Sequence, residues 1–178
     1  LNSVPCTTTV QALNLKRRAA EGRCYVDVGF WGGAVPSNVD ELADVYAAGV
    51  FGFKCSLVDS GMAEFPPLGR AGLDAALAAV DALFIVHAED PAEVREVPSS
   101  RRYEDFLASR PRAAENSAIG MVVAAARRSG RRMHILHLSS SDALPLLGRA
   151  RRDRLPVTAE TCPHYLTLAA EQVPDGAT

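Results

Sequence analysis

Gly49-Val50-Phe51-Gly52-Phe53-Lys54-Cys55-Ser56-Leu57 is the stretch around which the rest of the chain is organised. Glycine marks its start, β-forming residues fill it, and one lysine stands in the middle, so residues 50 to 57 read as a buried strand. A lysine inside an apolar run is costly, because its ammonium loses hydration. Two readings follow. Either Lys54 sits where the strand ends and snorkels to water, or it is chemically altered and holds metal.

Outward from this strand the chain alternates. Upstream, Gln11 to Glu21 has helix formers and is stopped by Gly22; Cys24 to Phe30 reads as a strand broken by a Gly32-Gly33 loop. Asn38 is a fair N-cap for a helix from Val39 to Ala48, with Glu41 in the capping-box place. Downstream, Ala71 to Leu83 has helical periodicity, and Phe84-Ile85-Val86-His87 is a short apolar strand. A polar segment from Asp90 to about Arg112 exceeds ordinary loop lengths and is expected to hold a short helix around Tyr103 to Ala108. Helix Ala113 to Ser129, strand Met133 to Leu138, helix Asp142 to Arg152 and strand Pro156 to Thr161 complete the series. Near-continuous apolar strands alternating with helices predict a parallel sheet covered by helices. No Gly-x-Gly-x-x-Gly or Walker sequence follows a strand, which disfavours a nucleotide-binding domain. A (β/α)8 barrel typically needs ~250 residues. At 178 residues, such a barrel would hold only about five or six βα units.

Composition narrows the partners. Lys+Arg total 19 against Asp+Glu 21, so neither nucleic acid nor an anionic membrane is the favoured partner. No apolar run approaches the ~20 residues a membrane span needs. The cysteines Cys6, Cys24, Cys55 and Cys162 show no CxxC spacing and suggest a reducing cytoplasm. The chain opens at Leu1 without Met and stops at Thr178 after a helix-like turn, so it is expected to be an internal piece of a longer protein.

In barrels of this kind active groups stand at the carboxyl ends of strands. Lys54, His87 and His137 fall at such ends on three different strands. Neutral imidazole is a good zinc ligand, although a histidine at a strand end is as often simply hydrogen-bonded. His134 and His137 are three residues apart, so pleating places them on opposite faces. His137, nearer the carboxyl end, is the ligand candidate, and His134 is expected to face the helices. His164, past Cys162-Pro163, either lines the mouth or hydrogen-bonds in a loop. An ammonium at Lys54 would repel a divalent ion. Its carbamate, formed with carbon dioxide, is an anion with two oxygens that bridges two ions, which such sites hold ~3.5–4 Å apart. Burial favours that reaction by exposing the neutral amine.

These residues resemble the cyclic amidohydrolases, and among them the allantoinases most closely. The matching pieces include Leu1-Asn-Ser-Val-Pro-Cys-Thr-Thr-Thr9, Val26-Asp-Val-Gly-Phe-Trp-Gly-Gly33, Gly49 to Cys55, Val86-His-Ala-Glu89, Ser109-Arg-Pro111, His134-Ile-Leu-His-Leu-Ser-Ser140 and Glu160-Thr-Cys-Pro-His-Tyr-Leu166. They cover almost the whole chain in order. The resemblance implies an α/β fold of the (β/α)8 TIM-barrel type, with residues 1–178 forming part of one metal-dependent barrel domain. It implies two Zn2+ ions per subunit, bridged by carboxylated Lys54, with His87 and His137 on the second ion. The implied reaction opens the ring of allantoin with water to give allantoate, in the cytoplasm, within a homo-oligomer that in this family is often a tetramer.

Two family elements are absent from the sequence: a His-x-His pair, expected before Leu1, and a general-base Asp, expected beyond Thr178. The isolated chain is therefore expected to be inactive. Hydantoinases and dihydropyrimidinases usually carry Tyr five residues past the lysine, where this chain has Asp59, and Gln where it has His164. Both departures favour allantoinase, with dihydroorotase a weaker alternative. A non-catalytic, dihydropyrimidinase-related binding protein would lack the metal ligands, which are present here.

Overall fold

The computed structural model describes residues 3–97 and 100–176. Five parallel strands lie side by side in chain order: β1 (Gly32–Gly33), β2 (Gly52–Ser56), β3 (Leu83–His87), β4 (Met133–Ile135) and β5 (Val157–Ala159). The helices are α1 (Val10–Ala20), α2 (Leu42–Ala47), α3 (Gly69–Ala79), α4 (Tyr103–Ser109), α5 (Arg112–Ser129) and α6 (Leu144–Arg152). The expected α/β alternation is present, including the short helix inside the long polar segment. Among the described residues no helix is long and apolar enough to cross a membrane.

Register divides the sheet into two chemical faces. Phe53, Phe84, Met133 and Val157 are aligned partners across β2 to β5. In-register neighbours project to the same side, and these join the core with Leu42, Val45, Leu73, Leu77, Ile119 and Val122 from the helices. The Phe53 ring lies 5.6 Å from that of Phe84 and 6.3 Å from that of Tyr46. The next row, Lys54, Ile85, His134 and Thr158, therefore projects away from the helices. Ser56 and His87, paired two positions further on, return to that same side.

Several elements depart from the sequence reading, each for a physical reason. Cys24 to Phe30 is not a strand: Tyr25, Val26 and Val28 are exposed, and Cys24 is an exposed thiol. The strand lies instead on the two glycines expected to form a loop. A Cβ at Gly32 would stand 2.7 Å from the Phe53 ring, and one at Gly33 2.6 Å from the Phe65 ring, so close packing rather than turning demands glycine. The expected helix at 39–48 splits into a 3-10 turn, Pro36–Glu41, and α2. Asn38 does not cap it. Its buried amide accepts from the Val35 N–H (3.0 Å) and donates to the carbonyls of Thr8 (2.7 Å) and Gly33 (2.9 Å), tying the amino-terminal loop to β1. β4 ends at Ile135 rather than Leu138, because His137 takes the left-handed φ of +38°.

His134 is the clearest correction. It was expected to face the helices, but Met133 and Ile135 on either side of it are 1% and 0% exposed within the core, so it faces the opposite side, with Lys54. Pleating does not set His134 opposite His137 because the strand ends at Ile135, before His137.

Arginines join neighbouring elements at the surface, as in Arg128–Asp74 and Arg131–Asp81, both 2.7 Å. Exposed pairs of this kind contribute little to stability. The core is decisive: Phe53→Ala is expected to destabilise the fold by about 3–5 kcal/mol, read as a lowered urea midpoint, whereas Arg128→Ala should cost less than about 1 kcal/mol.

Candidate metal centre

Three elements deliver the site. β2 carries Lys54, β3 ends on His87, and the turn after β4 carries His137. Because β2 and β3 are parallel and in register, Lys54 and His87 share the face opposite the helix core. The left-handed backbone of His137 turns its ring toward the same place, and such a conformation in a non-glycine residue is strained.

His87 Nδ1 and His137 Nε2 stand 3.3 Å apart, with the ring centroids 4.9 Å apart. Two nitrogens each ~2.0–2.1 Å from one zinc ion, at a tetrahedral angle, would be roughly 3.3 Å from each other. The other nitrogen of His87, Nε2, contacts Glu89 Oε2 at 3.3 Å, and the same oxygen accepts from Arg110 Nη1 at 2.6 Å. A carboxylate on the far nitrogen fixes an imidazole's tautomer and leaves the near lone pair free for a ligand. The hydrogen bond from His87, and then Arg110, hold the Glu89 carboxyl below the usual range, so this support is an anion at neutral pH. Burial, then the neighbouring His87 and Lys54 charges, push the His137 pKa down and favour its neutral, ligating form.

Lys54 is only 9% exposed, and its Nζ donates to the Cys55 carbonyl at 2.7 Å. Burial lowers its pKa from 10.5 to about 8. Roughly a tenth of the amine is then neutral at pH 7, far more than for an ordinary lysine, which suits capture of carbon dioxide. The adjacent Cys55 thiol is pushed up to about 12 by burial and stays protonated. The donor set fits a metal centre in part: two imidazoles at ligand spacing and a buried amine whose proton burial disfavours. Among the described residues no group of three His, Cys, Asp or Glu side chains is arranged to hold an ion.

His134 and His164 stay apart from this pair. His134 Nδ1 lies 2.7 Å from Thr158 Oγ1, and its Nε2 3.4 Å from Glu160 Oε2. His164 is exposed in the 3-10 turn Pro163–Leu166, its ring edge-on to Tyr165. Asp59, in the position where hydantoinases usually have Tyr, accepts from the Gly61 N–H at 3.0 Å. The sequence reading assigned no role to Arg110 or Glu115. Both lie at or just beyond the Ser109-Arg-Pro111 motif, but only the fold shows what their charges meet.

No protein-family profile matches the chain. The allantoinase of Streptomyces avermitilis is 54% identical over 182 residues, covering 99% of this chain and 41% of that protein. The chain belongs to the allantoinase family. The allantoinase of Saccharomyces cerevisiae is 48% identical over 188 residues, covering all of the chain and 41% of its own length. The chain thus spans about two fifths of the allantoinases it matches. Among solved structures, the L-hydantoinase (dihydropyrimidinase) of Arthrobacter aurescens superposes with a TM-score of 0.85 at 28% identity, over 93% of this chain and 39% of that one. The five-stranded sheet of this allantoinase-family chain is accordingly part of a (β/α)8 amidohydrolase barrel.

The buried amine makes stability depend on pH. Without metal, folded Lys54 loses its proton near pH 8, whereas the unfolded chain keeps it to 10.5. Between those values the unfolded state binds the extra proton, so the lysine's contribution to stability improves as pH rises through the window. Below the window the ammonium costs about 3 kcal/mol, at 1.36 kcal/mol per decade. Lys54→Met is therefore expected to stabilise the metal-free protein at pH 7, with the advantage fading toward pH 10.5. Equal urea midpoints for the two proteins at pH 7 would remove the buried charge as a cost.

Proposed function

We propose that the polypeptide containing this chain opens the ring of allantoin with water to yield allantoate. The observation that carries the substrate assignment is the match of nearly all of this chain to about two fifths of allantoinases at 54% and 48% identity. In the reaction a ring amide C–N bond breaks, a C–O bond forms to the same carbon, and the ring nitrogen leaves as the amide of a ureido group. When bound, two divalent ions, with zinc the first expectation, would supply a Lewis acid for the ring carbonyl and a water of lowered pKa.

The residues in hand divide the supporting work. Lys54, as its carbamate, would hold both ions. His87 Nδ1 and His137 Nε2 would hold the second, with His87 oriented by Glu89 and Arg110. Burial keeps His137 neutral and the lysine amine reactive. We assign none of these groups to the reaction's proton transfers. By the family resemblance, an aspartate would take that task and a His-x-His pair would supply the remaining ligands. Residues 1–178 would then be one part of a single barrel domain. Cytoplasmic residence is supported by the free thiols of Cys24, Cys55 and Cys162, and assembly as a homo-oligomer, a tetramer first, rests on the family resemblance alone.

The test uses the complete protein. About two divalent ions per subunit and allantoate as product are expected. Lys54→Ala should lose both ions and reduce kcat by at least ~10³-fold, as expected when the centre that activates water is removed. After chelation, zinc with bicarbonate should restore activity faster than zinc alone. Unchanged metal content in Lys54→Ala would refute the bridging role, and a higher kcat/KM for hydantoin or a dihydropyrimidine than for allantoin would overturn the substrate assignment.

A further inference from the structure

We propose that Glu115 is a positioning residue: from the first turn of α5 it sets where His137 stands relative to His87, and thereby the affinity of the second metal position. The inference rests on the metal-centre reading above. Glu115 is half-buried and directed at the turn that follows His137. Its Oε1 accepts from the Ser139 N–H (2.9 Å), and its Oε2 accepts from the Ser139 hydroxyl (2.8 Å) and the Ser140 N–H (2.6 Å). Two successive backbone N–H groups form a concavity for an anion, and here the chain's own carboxylate fills it. Hydrogen bonds to a charged acceptor are roughly twice as strong as neutral ones. Three of them therefore offset the strain of a left-handed residue two positions earlier.

The same helical turn also grips the other histidine's loop. The Ala114 carbonyl accepts from the Asp90 N–H at 2.8 Å, three residues past His87. Just before the helix, Arg110 holds Glu89, which holds His87. Adjacent residues of one rigid element thus restrain both loops, and the 3.3 Å spacing of the two imidazoles is the dimension they share. Neutral Gln at position 115 keeps the size but turns an N–H2 toward at least one of the three donors.

The experiment compares the complete wild-type protein with Glu115→Gln, using Zn2+ as the probe. In the metal-free variant, amide hydrogen exchange at Ser139 and Ser140 is expected to speed up. Affinity for the more weakly held Zn2+ should fall about 10- to 100-fold, the range seen for residues that orient metal ligands. At saturating Zn2+, kcat should recover with KM unchanged, which a general loss of folding would not permit. Wild-type Zn2+ affinity in the variant, or kcat still depressed with both ions bound, would overturn the proposal. Should Glu115→Gln fail to fold, Ser139→Ala removes one of the three donors and should weaken Zn2+ about fivefold; no weakening there counts against the proposal. A wild-type protein that takes up no metal would sink the proposed function itself, whereas a metallated wild type with an equally metallated variant sinks only the role of Glu115.

Discussion

The registration of β2 against β3 is the constraint on which the rest depends. Once Phe53 and Phe84 are buried together under the helices, the period of two leaves Lys54 no option but the other face. Ser56 and His87 follow by the same rule. A slip of one residue would bury the lysine among leucines and put Phe53 on the face that carries His87. Hydrophobic packing on one side of the sheet thus fixes chemistry on the other, without any direct contact between the two.

On the polar side, electrostatics take over from packing. The environment that makes an ammonium unwelcome at Lys54 also makes its neutral amine available. Proximity and burial likewise disfavour a proton on His137. Glu89 has the opposite history: paired with Arg110 and His87, it remains ionised close to the site. The candidate site is therefore asymmetric, with the imidazoles of His87 and His137 facing each other and an ion pair steadying the His87 ring from behind.

Much of this was legible in the sequence. The lysine in an apolar strand, the histidine closing a second strand and the histidine before the serine run were enough to nominate the site, and the αβ alternation was enough to nominate the sheet. What stayed hidden shares a cause. Gly32-Gly33 looked like a loop because the rings of Phe53 and Phe65, which exclude a Cβ there, arrive from elsewhere in the chain. His134 was assigned to the wrong face because a local backbone twist at His137 ended the pleat early. Glu115 gave no signal, because a carboxylate in a helix's first turn is ordinary until the turn 24 residues away is seen to offer it three donors. Pattern carries local geometry well and carries meetings between distant segments poorly.

The left-handed backbone at position 137 also limits which substitutes the position will accept. Asparagine, aspartate, histidine and glycine enter that region with least penalty, and β-branched side chains are shut out. Of the four, only histidine and aspartate bring a side-chain donor of the kind zinc takes. A redesign that sought a softer thiolate or a longer glutamate there would meet resistance from the main chain before any coordination chemistry began.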